Sequence, residues 1–148
     1  MATTVTPASL TVTITEQYTL NNVSYGNTIN KTFTTNGEIY QRIMAVKESE
    51  ITSLIDFGTA DGRGTVDKTN YTYFRITNLD DTNFLTLTIT SGDTFFYKLK
   101  AGESLLLMDN EMDAIASSTT FGAFADITNI TAQANTDGVD VELICVTV

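Results

Sequence analysis

Phe84-Leu85-Thr86-Leu87-Thr88-Ile89-Thr90-Ser91-Gly92-Asp93-Thr94-Phe95-Phe96-Tyr97-Lys98-Leu99 decides the fold class. From Leu85 onward apolar side chains alternate with Thr, the two-residue period of a half-buried strand. Ser91-Gly92-Asp93 interrupts that period with turn-forming residues, and a second dense strand follows, so the stretch predicts a β-hairpin. Leu10-Thr11-Val12-Thr13-Ile14-Thr15 repeats the alternation near the start of the chain. Further strands are predicted over 18–25, 29–34, 39–46, 51–57, 71–77, 104–108, 127–134 and 139–147. Turn signals recur between them at Asn21-Asn22, Asn36-Gly37, Asp80-Asp81, Ala101-Gly102 and Asp137-Gly138. Asn36-Gly37 predicts a hairpin joining 31–35 to 38–46, because both residues tolerate positive φ. Short strands with turns at this spacing predict an all-β protein, an antiparallel β-sandwich.

Composition supports this reading. The chain has 148 residues, of which 28 are Thr and 8 are Ser. Thr is β-branched, which suits a pleated surface and disfavours helix. Two short helical turns are predicted, over 47–54 and 110–116. The Thr-rich pattern continues without a linker or internal repeat, so one domain is expected over 10–148, preceded by an extended arm over 1–9. The segment Gly58 to Asn70 has three Gly and little apolar content, and is long for a structureless loop in a compact domain. Consecutive aromatics in Phe95-Phe96-Tyr97 and Tyr71-Thr72-Tyr73-Phe74 supply both faces of their strands, which predicts cover on both sides there.

Charge and residue types exclude several kinds of chemistry. There is no His, so no His-based catalytic triad, proton shuttle or metal ligand exists. A single Cys excludes an internal disulfide and a Cys-rich zinc site. Cys145 lies in an apolar run and reads as a small core hydrophobe. The formal net charge is −10, which argues against a nucleic-acid partner, since phosphate contacts need Lys and Arg. No apolar run is long enough to span a bilayer, and residues 1–6 lack a basic region and apolar run, so no membrane partner and no signal peptide are expected.

The remaining candidate sites are weak as chemistry. Asp109, Glu111 and Asp113 alternate as oxygen donors and are the candidate metal ligands. They lack the glycine turn and terminal glutamate of a calcium-binding loop, so no metal or other cofactor is expected. Asp80-Asp81 reads as a polar turn, because adjacent strand carboxylates face apart. Asp61-Gly62-Arg63-Gly64 lacks the Lys and helix of a phosphate loop. Zero Trp weakens a carbohydrate-binding reading.

Two stretches carry a family resemblance. One joins Arg75-Ile76-Thr77-Asn78-Leu79-Asp80 to Lys100-Ala101-Gly102-Glu103-Ser104. The other joins Thr131-Ala132-Gln133-Ala134 to Val141-Glu142. Together they resemble small virion structural proteins of tailed bacteriophages, cyanophages among them, over roughly residues 70 to 148. The resemblance implies a jelly-roll sandwich, no enzymatic activity and localisation in the virion after synthesis in the host cytoplasm. It further implies a capsid decoration (cement) protein that is a homotrimer and partners the major capsid protein or other virion proteins. A tail, neck or fibre component is the first alternative, and a carbohydrate- or cell-surface-binding module the second. The expected interface residues are Thr3, Thr4 and Val5 in the arm, with Asp61, Arg63, Asp67 and Lys68 in the long loop.

Overall fold

Thirteen strands and no helix make up the described residues, as the Thr-rich alternation requires. The structure is a computed structural model that describes residues 8–35, 38–59, 66–113 and 124–147. Two sheets face each other. One has the order β3-β13-β6-β9, built from β3 (Ile39–Val46), β13 (Val139–Thr147), β6 (Tyr71–Asn78) and β9 (Ser104–Leu107). The other has the order β5-β4-β12-β7-β8, built from β5 (Val66–Asp67), β4 (Thr52–Gly58), β12 (Asn129–Ala134), β7 (Leu85–Ser91) and β8 (Asp93–Leu99). All pairings in these sheets are antiparallel except the short β4–β5 edge contact. Strands β10 (Glu111–Met112) and β11 (Ala125–Asp126) form a small ladder beside them.

Alternate side chains of each sheet point into one shared core. Val139, Val141, Leu143 and Cys145 of β13 meet Leu85, Leu87 and Ile89 of β7 and Ile130 and Ala132 of β12. Phe57 of β4 stacks on Tyr71 of β6 at 4.4 Å and meets Phe74 edge-on at 6.4 Å. Cys145 is fully buried, and burial pushes its thiol up to about 12. It is the core hydrophobe its context predicts.

The most distinctive element stands outside the sandwich. β1 (Ala8–Leu20) and β2 (Val23–Thr35) pair with each other alone, in unbroken register from Ala8↔Thr35 to Leu20↔Val23. Asn21 and Asn22 close the hairpin with φ of 50° and 63°, the left-handed pair that a two-residue primed turn demands. The predicted strand 18–25 is therefore two strand ends on either side of this turn. The predicted hairpin across Asn36-Gly37 is likewise corrected: β2 pairs β1, whereas β3 pairs β13. Asn36 and Gly37 themselves lie outside the described residues.

Two further expectations are corrected. Residues 47–50 form a bend leading into β4 and Glu111–Met112 is a strand, so neither predicted helical turn forms among the described residues; residues 114–116 of the second lie outside them. Both segments are too short to nucleate helix against neighbouring ladder bonds. The hairpin β7–β8 forms as predicted, with Ser91 opposite Asp93 and Gly92 at φ 68°.

Candidate functional site

The hairpin β1–β2 has two chemically distinct faces. Cross-strand partners share a face, so one side carries Thr11 with Thr32, Thr13 with Asn30, and Thr15 with Thr28. These pairs are hydrogen-bonded, Thr13 donating to Asn30 Oδ1 at 2.8 Å and the two Thr pairs lying at 3.3 and 3.4 Å. The opposite side carries Leu10 with Phe33, Val12 with Lys31, Ile14 with Ile29, Glu16 with Asn27, Tyr18 with Tyr25, and Leu20 with Val23. The face is apolar apart from Glu16, Asn27 and Lys31.

Among the described residues only the base of that apolar face is covered. Leu10, Val12 and Phe33 pack on Tyr73, Leu106, Ile144 and Val146, the outer surface of the β3-β13-β6-β9 sheet. Phe33 lies 6.0 Å from the Tyr73 ring, and Lys31 Nζ sits 5.6 Å over Phe33. Beyond the base the face is open. Tyr18 is 59% exposed, Leu20 57%, Ile29 55%, Val23 51%, Tyr25 45% and Ile14 39%. Tyr18 and Tyr25 stack at 5.2 Å, so the aromatic pair is ordered by the register alone. A shallow depression of about 430 Å³ lies against the hairpin, lined chiefly from the hydroxyl face by Thr15, Gln17, Ser24, Gly26 and Thr28.

The consecutive aromatics divide. In β6, Phe74 faces the core while Tyr73 is covered from outside by the hairpin, so both faces are indeed buried. In β8, Phe96 is 66% exposed. The predicted second cover on β8 is absent among the described residues, and Phe95 is also 42% exposed.

A polar cluster forms where the long loop rejoins the sandwich. Asp67 organises the turn after β5, its carboxylate accepting from Thr69 N at 3.0 Å, Thr69 Oγ1 at 2.8 Å and Asn70 Nδ2 at 2.6 Å. These bonds, the Thr69 amide foremost, hold its carboxyl below the usual range. Lys68 Nζ lies 3.2 Å from Asp126 Oδ2. Asn110 Nδ2 donates to Lys68 O and to Asp126 Oδ1, both at 3.1 Å. The structure thus joins the interface candidate Lys68 to the segment that holds the metal candidates. Asp109 Oδ1 accepts from Glu111 N at 3.0 Å, and Glu111 stands opposite Asp126 in the β10–β11 ladder. Asp113 Oδ2 is buried and lacks a hydrogen-bond partner. Among the described residues no three acidic or sulfur side chains are grouped to hold a metal ion. Thr3, Thr4, Val5, Asp61 and Arg63 lie outside the described residues.

The residues that carry the family resemblance meet at the opposite end of the sandwich. Asn78 is fully buried there. Its Nδ2 donates to Asn83 O at 2.9 Å and Leu99 O at 3.3 Å, and its Oδ1 accepts from Asp80 N at 2.9 Å. Its backbone N–H donates to Glu103 O at 3.0 Å, and Leu79 N donates to Asp140 O at 2.9 Å. Asp80 Oδ1 in turn accepts from Asn83 N at 2.5 Å and Thr82 N at 2.7 Å, which lowers its pKa. This is the polar turn predicted for Asp80-Asp81. Arg75 donates to Glu142 Oε2 at 2.5 Å and also to Thr77, across the outer face of β6 and β13. The motif residues therefore tie loops and strands together.

Sequence reasoning missed the distal apolar face of the hairpin. The signal was present as equal alternation on either side of Asn21-Asn22. Among the described residues no helix is long and apolar enough to cross a membrane. Comparison of the chain with protein-family models, with curated proteins and with solved structures finds no match.

Proposed function

We propose that the chain is a structural protein of a phage virion, a capsid decoration protein that bridges and stabilises neighbouring capsid subunits. One observation carries this reading: the amphipathic hairpin projects from a closed sandwich with most of its apolar face uncovered. Such a face marks a protein that is built into a larger assembly, because apolar patches of this size on a protein surface mark interaction sites. A passive particle component also has use for a closed, hydrogen-bonded sandwich. The order β3-β13-β6-β9 over β4-β12-β7-β8 supports the jelly-roll form of this reading. Consecutive strands β3 and β4 pair with the last two strands β13 and β12, a nested Greek-key winding.

Residues 1–9 and 58–70 are the elements that contact the shell. β1 leaves from the sheet end where Thr147 stands opposite Tyr71, and β5 with its turn lies directly before Tyr71. The described ends of the two segments, Ala8–Ser9 and residues 66–70, adjoin this end of the sandwich. Binding only the assembled lattice would stabilise that lattice by mass action. The test is co-sedimentation with purified heads of the encoding phage. The full chain is expected to bind, and a variant lacking residues 1–9 with residues 60–65 shortened is expected to lose binding. Equal binding by both would overturn this reading.

A further inference from the structure

We infer that the uncovered apolar face of the β1–β2 hairpin is the contact between two copies of this chain, stacked face to face and antiparallel. The inference rests on the assembly reading above and puts a pair in place of the homotrimer that the family resemblance implies. Three observations carry it: the hairpin's isolation, its area and its charge.

A two-stranded hairpin is marginal in water by itself. This one runs 13 residues per strand, and from Ile14 outward it extends about 25 Å past its seat on Tyr73, Leu106, Ile144 and Val146. No described residue packs there. The register nevertheless places six large apolar side chains on one side and a hydroxyl ladder on the other, so the distal half is built for a partner on its apolar side only.

Six aromatic and aliphatic side chains exposed to this extent present on the order of 600 Å². A standard stable interface buries about 800 Å² per partner. Two such faces come to about 1,200 Å², the lower end of the total area that specific interfaces bury, so a second copy is a sufficient occupant.

Charge favours the same occupant. The chain carries −10, yet residues 8–35 hold only Glu16 and Lys31 and are neutral as a unit. Among the described residues the hairpin is the one long element through which two copies can approach while their acidic bodies stay apart. Charge also selects the geometry. Three hairpins gathered in parallel around a three-fold axis would bring three Glu16 carboxylates together on the inner side, an unfavourable like-charge cluster. An antiparallel pair centred between the Glu16–Asn27 and Tyr18–Tyr25 rungs avoids this. It sets Ile14 and Ile29 of one copy over Leu20 and Val23 of the other, about 10 Å away between sheet planes. Glu16 then faces tyrosine hydroxyls, which donate to a carboxylate.

The experiment is light scattering and analytical ultracentrifugation of the full chain across a concentration series, without phage particles. The expected mass is twice 16.1 kDa. The pair Y18T/Y25T keeps strand-forming residues and is expected to weaken association at least 100-fold, while T13V/T15V on the hydroxyl face leaves it unchanged. The melt of each variant confirms that the sandwich is intact. A short bismaleimide should join copies of I14C/L20C into covalent dimers and leave T13C monomeric, since Cys145 is buried. A monomer at all concentrations, a trimer, or a dimer indifferent to Y18T/Y25T each overturns the inference. Head binding is measured separately, so a monomer that still binds heads overturns this inference and leaves the decoration role standing.

Discussion

Gly26 shows how little freedom the hairpin has at single positions. A Cβ at residue 26 would lie 2.7 Å from Glu16 O, a backbone atom that cannot turn aside. G26A is therefore expected to cost the hairpin about 1–3 kcal/mol. Hydrogen exchange should show faster β1 and β2 amides, with the sandwich amides unchanged. Asn78 has the corresponding role in the sandwich. N78L leaves Asn83 O, Leu99 O and Asp80 N without their partner, and unpaired buried groups cost about 1–3 kcal/mol each. A fall in Tm of roughly 5–15 °C is expected by calorimetry. Glu142 supplies a pH dependence. Its hydrogen bonds to Arg75 and then to Gln41 hold the folded carboxyl below its ordinary value of 4.5. The unfolded state therefore takes up the proton first on acidification. The contribution is full above about pH 4.5 and is lost as pH falls through the lower folded value. Tm measured between about pH 6 and pH 3 should fall less steeply in E142Q than in the wild type.

Elements differ in how far their residues reveal them. β7 and β8 could be read directly, because their alternation and the Ser91-Gly92-Asp93 turn are local and agree. β13 could be placed as a strand from its apolar run, but its partners β3 and β6 lie 65 or more residues away along much of the register, and no local signal sets that pairing. Asn36-Gly37 suited a tight hairpin equally well by its own chemistry; the competing β1–β2 pairing took β2, and the β13 pairing took β3. The candidate site followed the same division. Lys68 and the Asp109 to Asp113 segment each stood out by composition, but only the fold brings Asn110 onto Lys68 and Asp126. The hairpin's exposed face was hidden for a different reason. Alternation reports that one face is apolar and says nothing about what covers it. Asn22 tests the element itself. N22V places a β-branched residue at φ 63° and should destabilise the turn by about 1–2 kcal/mol, whereas N22G should be nearly neutral. Faster exchange at Leu20 and Val23 in N22V alone would confirm this.

The whole molecule divides its labour by position. One end of the sandwich is closed by Asn78, Asp80 and Glu103, and the residues of the family resemblance serve that closure. The other end gathers the hairpin base, the turn after β5 and the Lys68–Asp126–Asn110 cluster. Under the proposed function, contacts with a shell and contacts with a second copy fall on separate surfaces, so losing one need not abolish the other. A tail or fibre position would use the same surfaces at a lower copy number. Quantitative mass spectrometry of purified virions of the encoding phage tests the central claim most directly. The account predicts this chain in the particle at a copy number commensurate with the lattice junctions of the head. Its absence from purified virions, with the protein present only in the infected-cell lysate, would contradict the account.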